Sequence, residues 1–326
     1  MTATARSLIA FLAASPVAAL VEVAEAKGST PREKGARMLV SPAAIFGTIG
    51  GGQLEFMAID KARAMLKERA PMLAAEAGMD AASDALAVSG EVSPPGPSPR
   101  SRGDGARRAD AGQRQVGMAA IMLDIPLGPE IGQCCGGRVA VGIRPIDEAL
   151  RQELIRDAEA EDARRPHVYV FGGGHVGLSL ASAFALLPVE TIVVETRADA
   201  LESMPDPVTT RLTPMPEEMV REAPVGAAFV VLTHDHALDF LIVAEALKRD
   251  DAAYVGMIGS KTKKATFKSW YLKTAGGTEK GLARLVSPIG GGTVKDKRPA
   301  VIAALAAAEI MTALLSGKAA AQIPSL

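Results

Sequence analysis

The apolar positions of this chain change period several times. Leu8, Phe11 and Leu12 fall on one helical face, and Val17, Val21 and Val23 then predict a strand. A polar turn, Lys27-Gly28-Ser29-Thr30-Pro31-Arg32, leads to a second strand over Ala36–Val40 and a third over Ile45–Ile49. After Gly50-Gly51-Gly52 the period becomes helical, with Leu54, Met57, Ala58 and Met65 on one side. The pattern then lapses. Ser93–Gln115 holds prolines, arginines and glycines but no aliphatic side chain larger than alanine, so residues 78–117 are expected to form a disordered insertion. Strands return at Met118–Asp124 and Val139–Ile143, on either side of Gly132-Gln133-Cys134-Cys135-Gly136-Gly137-Arg138.

A charged helical stretch over 146–163 opens the second half. Strand-like and helix-like runs then alternate: His167–Phe171, Leu178–Leu187, Thr191–Val194, Ala227–Leu232, Ala237–Arg249, Ala253–Ile258, a helix opened by Gly259-Ser260-Lys261, and a closing apolar helix over Ala300–Leu315. Such alternation predicts a parallel sheet covered by helices on both faces. Gly172-Gly173-Gly174-His175-Val176-Gly177 has G-x-G-x-x-G spacing between a strand and a helix, and Glu195 ends the next strand 18 residues after Gly177. In that context the glycines mark a Rossmann-like turn, where a phosphate can approach a helix N-terminus and the acid can take a ribose hydroxyl. The fold class expected is α/β: an N-terminal mixed α/β domain over 1–145, a connector over 146–165, and a C-terminal Rossmann-like doubly wound parallel sheet over 166–326. A ligand crevice beyond the C-terminal strand ends would gather Gly172, Gly174, His175, Glu195, Thr233, His234, Asp235, His236, Gly259, Ser260 and Lys261.

Composition narrows the choice. At 326 residues two domains are the default. Charged residues make up 22%, aromatics 4%, and the net charge is −1, so neither a basic face nor stacking aromatics recommend nucleic acid as a partner. No uninterrupted apolar run of about 20 residues suggests a membrane span, and Leu8–Ala14 is too short and too soon broken by Pro16 to read as a signal peptide. Two cysteines and no targeting segment point to the cytoplasm.

Those two cysteines are adjacent, and a disulfide between neighbours needs a strained ring. Flanking glycines let a ligand approach the main chain, and Arg138 would favour thiolate over thiol. The plainer alternative is a pair of small buried hydrophobes in a turn. Two cysteines fall short of a structural zinc site. His234-Asp235-His236 can be read as metal ligands or as polar groups lining a crevice and capping the helix at Ala237. Gly50-Gly51-Gly52 before a helix can be an anion site or a plain tight turn.

Six motifs carry a resemblance: Gly28-Ser-Thr-Pro-Arg32, Gly50-Gly-Gly-Gln-Leu-Glu55, Leu127–Gly137, Phe171–Gly177, Leu232–His236 and Tyr254–Ser260. In this order they closely resemble the XdhC/CoxI family of xanthine dehydrogenase maturation factors. The resemblance implies a cytoplasmic chaperone and no catalyst, one that binds the molybdenum cofactor in its molybdopterin form. It would hold the cofactor while an L-cysteine desulfurase supplies a sulfido ligand, and deliver it to apo-xanthine dehydrogenase. Implied partners are that enzyme, the desulfurase, cofactor biosynthesis proteins and a second copy of the chain as a homodimer. The implied cofactor-binding residues are Gly50, Gly51, Gly52, Gln53, Glu55, Gln133, Cys134, Cys135 and Gly136 together with Gly172, Gly174, His175, Gly177, Glu195, His234, Asp235, His236, Ser260 and Lys261, Cys134 being a possible ligand to the cofactor's molybdenum. The 78–117 insertion and the Gly290-Gly291-Gly292 run depart from the family pattern. Two readings from other classes stand beside it: an NAD(P)-dependent oxidoreductase, suggested by the Rossmann half alone, and a cysteine-based redox regulator.

Overall fold

The computed structural model describes residues 4–76, 120–129, 132, 136–291 and 294–316. The insertion expected over 78–117 and the residues Gln133, Cys134 and Cys135 lie outside them. By its contacts the chain divides into two units, Ile9–Gln152 and Met1–Leu8 with Glu153–Leu326. The division falls inside two helices, α1 (Ala5–Ala14) and α3 (Glu148–Ala163).

The unit over 9–152 is built on a five-stranded antiparallel sheet in the order β3-β2-β1-β5-β4. Its strands are β1 (Ala19–Lys27), β2 (Arg37–Val40), β3 (Ile45–Gly47), β4 (Ile121–Pro126) and β5 (Arg138–Pro145). In β5, Val139, Val141 and Ile143 alternate inward, the period-2 signature of a sheet with one face in the core. Helix α2 (Gly52–Glu76) covers that face with Leu54, Ala58, Ile59, Ala62, Met65 and Leu66. This buried stripe is centred between Leu54 and Ile59, so Met57, expected on it, falls off its edge and is 37% exposed.

In the second unit six parallel strands run in the order β11-β10-β9-β6-β7-β8. They are β6 (His167–Phe171), β7 (Glu190–Glu195), β8 (Thr209–Leu212), β9 (Ala228–Val231), β10 (Tyr254–Met257) and β11 (Leu285–Val286). The near-continuous apolar sequence of β6, β7, β9 and β10 follows from burial on both faces. Val168, Val170, Ala228 and Val230 enter one core, with α4 (His175–Phe184) and α9 (Pro299–Ser316). Tyr169, Phe171, Phe229 and Val231 enter the other, with α6 (His236–Lys248) and α7 (Lys261–Lys273). Sequence periodicity missed β8, β11, α5 (Pro216–Glu222) and α8 (Glu279–Leu282). All are short, and β8 is an edge strand with almost no buried side chain to produce a pattern.

Helix α9 alone among the described residues is long and apolar enough to cross a membrane. In this fold Ala303, Ala306, Ala307, Ile310 and Leu314 of α9 pack into the core beside Leu180, Ala181 and Phe184 of α4. Its Glu309 accepts a hydrogen bond from the buried Tyr254 hydroxyl at 2.5 Å.

Candidate functional site

From β6 the chain steps through β7 to β8 in one direction, and from β9 through β10 to β11 in the other. The reversal between β6 and β9 opens a crevice beyond their C-terminal ends. The glycine turn sits at that point, and its three pattern glycines do different things. A Cβ on Gly172 would meet the Leu232 carbonyl oxygen at 2.7 Å, and one on Gly177 would meet the Gly172 carbonyl oxygen at 2.0 Å. Both are glycine because the chain itself leaves no room. Gly174 is exposed, has an ordinary φ of −66°, and would place a Cβ with nothing within 4 Å. It precedes α4 as an N-cap without any side-chain hydrogen bond, so the first-turn N–H groups there have no side-chain acceptor at the cap.

Glu195, expected to take a ribose hydroxyl, is only 5% exposed, and its carboxylate is occupied by its own chain. One oxygen accepts from the Gly173 N–H at 2.9 Å, and the other from the Thr196 N–H at 2.8 Å and the Arg197 N–H at 3.2 Å. Burial pushes the carboxyl pKa upward, but these donors and the Arg197 guanidinium outweigh it and hold the group below its ordinary value of 4.5. A carboxyl lowered in this way stabilises the fold fully above the unfolded-state value and loses that contribution as pH falls through the folded-state value. The Glu195→Gln variant should therefore lose about 1–3 kcal/mol at neutral pH. Chemical denaturation at stepped pH should also show its stability falling less steeply than the wild type's below pH 4.5; parallel curves would contradict this.

The neighbouring loops are tied by a pair absent from the residues singled out in the sequence. Asp239, fully buried in the first turn of α6, accepts from the Thr233 N–H at 3.0 Å and the Thr233 hydroxyl at 2.6 Å. Its other oxygen takes a buried ion pair from Lys263 of α7. Contacts thus run without a break from Glu195 through Gly173, Gly172, Leu232, Thr233 and Asp239 to Lys263, whose side chain lies against Gly259. Asp239 had one sequence signal, a lone acid inside the apolar run Leu238–Ala244, and Lys263 was hidden in Lys261-Thr262-Lys263-Lys264.

Asp235 caps α6, its carboxylate accepting from the Ala237 and Leu238 N–H groups, and Ser260 caps α7 by accepting from the Lys263 N–H. His175, His234, His236 and Lys261 are exposed along the same edge. Among the described residues no group of three or more His, Cys, Asp or Glu side chains could hold a metal ion.

The other predicted set belongs to the unit over 9–152. Strands β4 and β5 form a hairpin closed by Leu127 N–H to Gly137 O and Gly136 N–H to Leu127 O, both 2.8 Å, and Cys134 and Cys135 stand in its loop by sequence. The Gly28–Arg32 turn is held between that hairpin and the triple-glycine turn. A Cβ on Gly137 would strike the Ser29 carbonyl oxygen at 2.2 Å, and one on Gly50 would strike the Pro31 ring at 2.5 Å. Gly50, Gly51 and Gly52 have φ of 133°, 77° and 64°, a left-handed run that side chains would strain. Glu55 braces this turn, accepting from the Ile49 N–H at 2.9 Å and the Thr48 hydroxyl at 2.5 Å, while Gln53 stays exposed. Arg138, expected to favour a thiolate, gives its charge to Asp124 through two hydrogen bonds of 2.6 Å. That partner holds the Asp124 carboxyl below its usual range.

Two family models match the chain, the XdhC and CoxI family over residues 12–75 and the XdhC Rossmann domain over 168–310. The chain belongs to the XdhC family. The two matched regions contain the triple-glycine turn and the whole crevice edge. Escherichia coli YqeB, an uncharacterized protein, is a relative 25% identical over 282 residues, covering 83% of this XdhC chain. The chain spans only 39% of that relative's length. A crystal structure from Bacillus halodurans described as a xanthine dehydrogenase has a similar fold, with a TM-score of 0.70 at 16% identity over 99% of this chain and 98% of that one.

Proposed function

We propose that this protein is a cytoplasmic accessory factor of xanthine dehydrogenase maturation, which holds the molybdenum cofactor during sulfuration and delivers it to the apo-enzyme without catalysing purine hydroxylation. Family membership supports the link to xanthine dehydrogenase. The observation that carries the cofactor reading is the clasp of the Gly28–Arg32 turn between Gly50 and Gly137. It brings three glycine-rich motifs of the family together around the base of the loop that bears Cys134 and Cys135. Gly51 and Gly136 fit an anionic, metal-bearing ligand, since each has a left-handed φ and leaves open the space a Cβ would fill. Left-handed glycines can turn backbone N–H groups towards a phosphate, and a cysteine thiolate is a soft donor of the kind molybdenum chemistry tolerates. When bound, the cofactor would supply the metal and its exchangeable ligand. This chain would supply backbone donors, thiols and exclusion of water. The nicotinamide alternative is weakened by Glu195, whose oxygens already accept from Gly173, Thr196 and Arg197.

The test is purification from cells with and without molybdenum cofactor supply, followed by molybdenum and pterin assays and reconstitution of apo-xanthine dehydrogenase. Wild-type protein should carry both. The Cys134→Ser/Cys135→Ser double variant should keep its melting temperature within a few degrees, lose most bound molybdenum, and fail in reconstitution. Full loading and full reconstitution by the double variant would remove the sulfurs from the reading. Absence of molybdenum and pterin from the wild type would remove the reading itself.

A further inference from the structure

Helix α7 begins against ordinary electrostatics. The N-terminus of a helix carries partial positive charge and favours acids, yet the first turn of α7 has no acidic residue and holds Lys261, Lys263 and Lys264. Only Lys263 is neutralised, by Asp239. Lys261 is exposed, and neither it nor Lys264 meets a carboxylate among the described residues. Two unneutralised like charges on one positive helix end cost stability unless something negative arrives.

A second observation lies at the same place. The Ser287 hydroxyl is buried with no hydrogen-bond partner, and the residue is 9% exposed. Ser287 follows β11 at its C-terminal end, the crevice side of the sheet. Leu285 packs in the core that contains Phe267 and Tyr271 of α7, and Val286 packs in the opposite one. The alternation of buried Leu285, half-buried Val286 and buried Ser287 continues one residue past β11, which puts Ser287 on the Leu285 side, the side of α7. The Lys264 ammonium donates to the Ser287 carbonyl at 3.1 Å, which brings this segment against the first turn of α7. An orphaned buried hydroxyl costs free energy, and here its residue is in contact with the unneutralised Lys264.

We propose that the α7 N-terminus, Lys261, Lys264 and the Ser287 hydroxyl form a binding site for a phosphate monoester. The site is at the β10–β11 end of the crevice, apart from the glycine turn at Gly174. It stands whether or not the chain carries a molybdenum cofactor. The anion takes the Lys261 and Lys264 ammonium groups and the first-turn N–H groups of α7 that Ser260 does not already accept from. Lys264 leaves the Ser287 carbonyl for the anion, which uncovers the hydroxyl to donate to a phosphate oxygen.

The experiment follows the melting temperature of the full chain during titration with inorganic phosphate, against potassium chloride at matched ionic strength. Wild-type protein should melt progressively higher in phosphate and show no rise in chloride. The Lys261→Gln/Lys264→Gln variant, which changes exposed and half-buried side chains only, should bind phosphate roughly tenfold more weakly. Ser287→Ala should weaken binding severalfold while leaving the phosphate-free melting temperature equal or higher, because it removes an unsatisfied hydroxyl. Gly174→Asp should leave the response intact. An equal rise in chloride, an undiminished response in the lysine variant, or loss of the response in Gly174→Asp would each overturn the site.

Discussion

Replacing Lys263 by methionine should destabilise the parallel-sheet unit by about 3–5 kcal/mol, the usual cost of stranding one member of a buried ion pair. Asp239 is fully buried, and Lys263 is the only cation that reaches it among the described residues. Its remaining acceptor capacity already serves Thr233, so no donor is in reserve. Asp239→Leu should cost a similar amount, since it leaves an ammonium buried and also orphans the Thr233 N–H. The Asp239→Leu/Lys263→Met double variant should recover much of the loss, because no uncompensated charge remains. A double-mutant cycle by urea denaturation measures this. Strictly additive losses would mean that the two side chains do not stabilise each other.

Gly177→Ala should be at least as damaging, at about 3 kcal/mol or more, because an added methyl group would sit 2.0 Å from a backbone oxygen with no side chain able to yield. The obstacle is the Gly172 carbonyl, itself fixed between β6 and the Leu232 segment. Gly174→Ala, three residues earlier, should melt within a degree or two of the wild type, since its Cβ meets nothing. Far-ultraviolet circular dichroism and soluble yield distinguish the two. If Gly174→Ala unfolds like Gly177→Ala, the openness of that position is not a property of the folded protein. The contrast also separates the glycines kept by packing from Gly174, where the space a Cβ would fill is open.

Much of the fold was legible in the chain because its causes are local. Strands such as Val168–Phe171 and Ala228–Val231 are apolar at every position, as strands between two helix layers must be. The turn Gly172–Gly177 and the acid at Glu195 follow a spacing set by one strand–turn–helix–strand unit. The N-terminal strands show period 2 because one face of their sheet meets α2.

The sequence by itself therefore determined two units of different architecture, the parallel order of the second, and the list of loops that carry polar chemistry. Their use was decided only in three dimensions. Whether Glu195 is free or saturated depends on the Gly173 N–H, 22 positions away. The partner of Asp239 stands 24 positions away on another helix. Which glycines are crowded depends on carbonyls of distant turns, Ser29 against Gly137 and Leu232 against Gly172. Periodicity records which face of an element is buried, and that is a property of neighbouring residues. Hydrogen-bond saturation and steric clearance are properties of pairs brought together by folding, and no spacing along one chain encodes them.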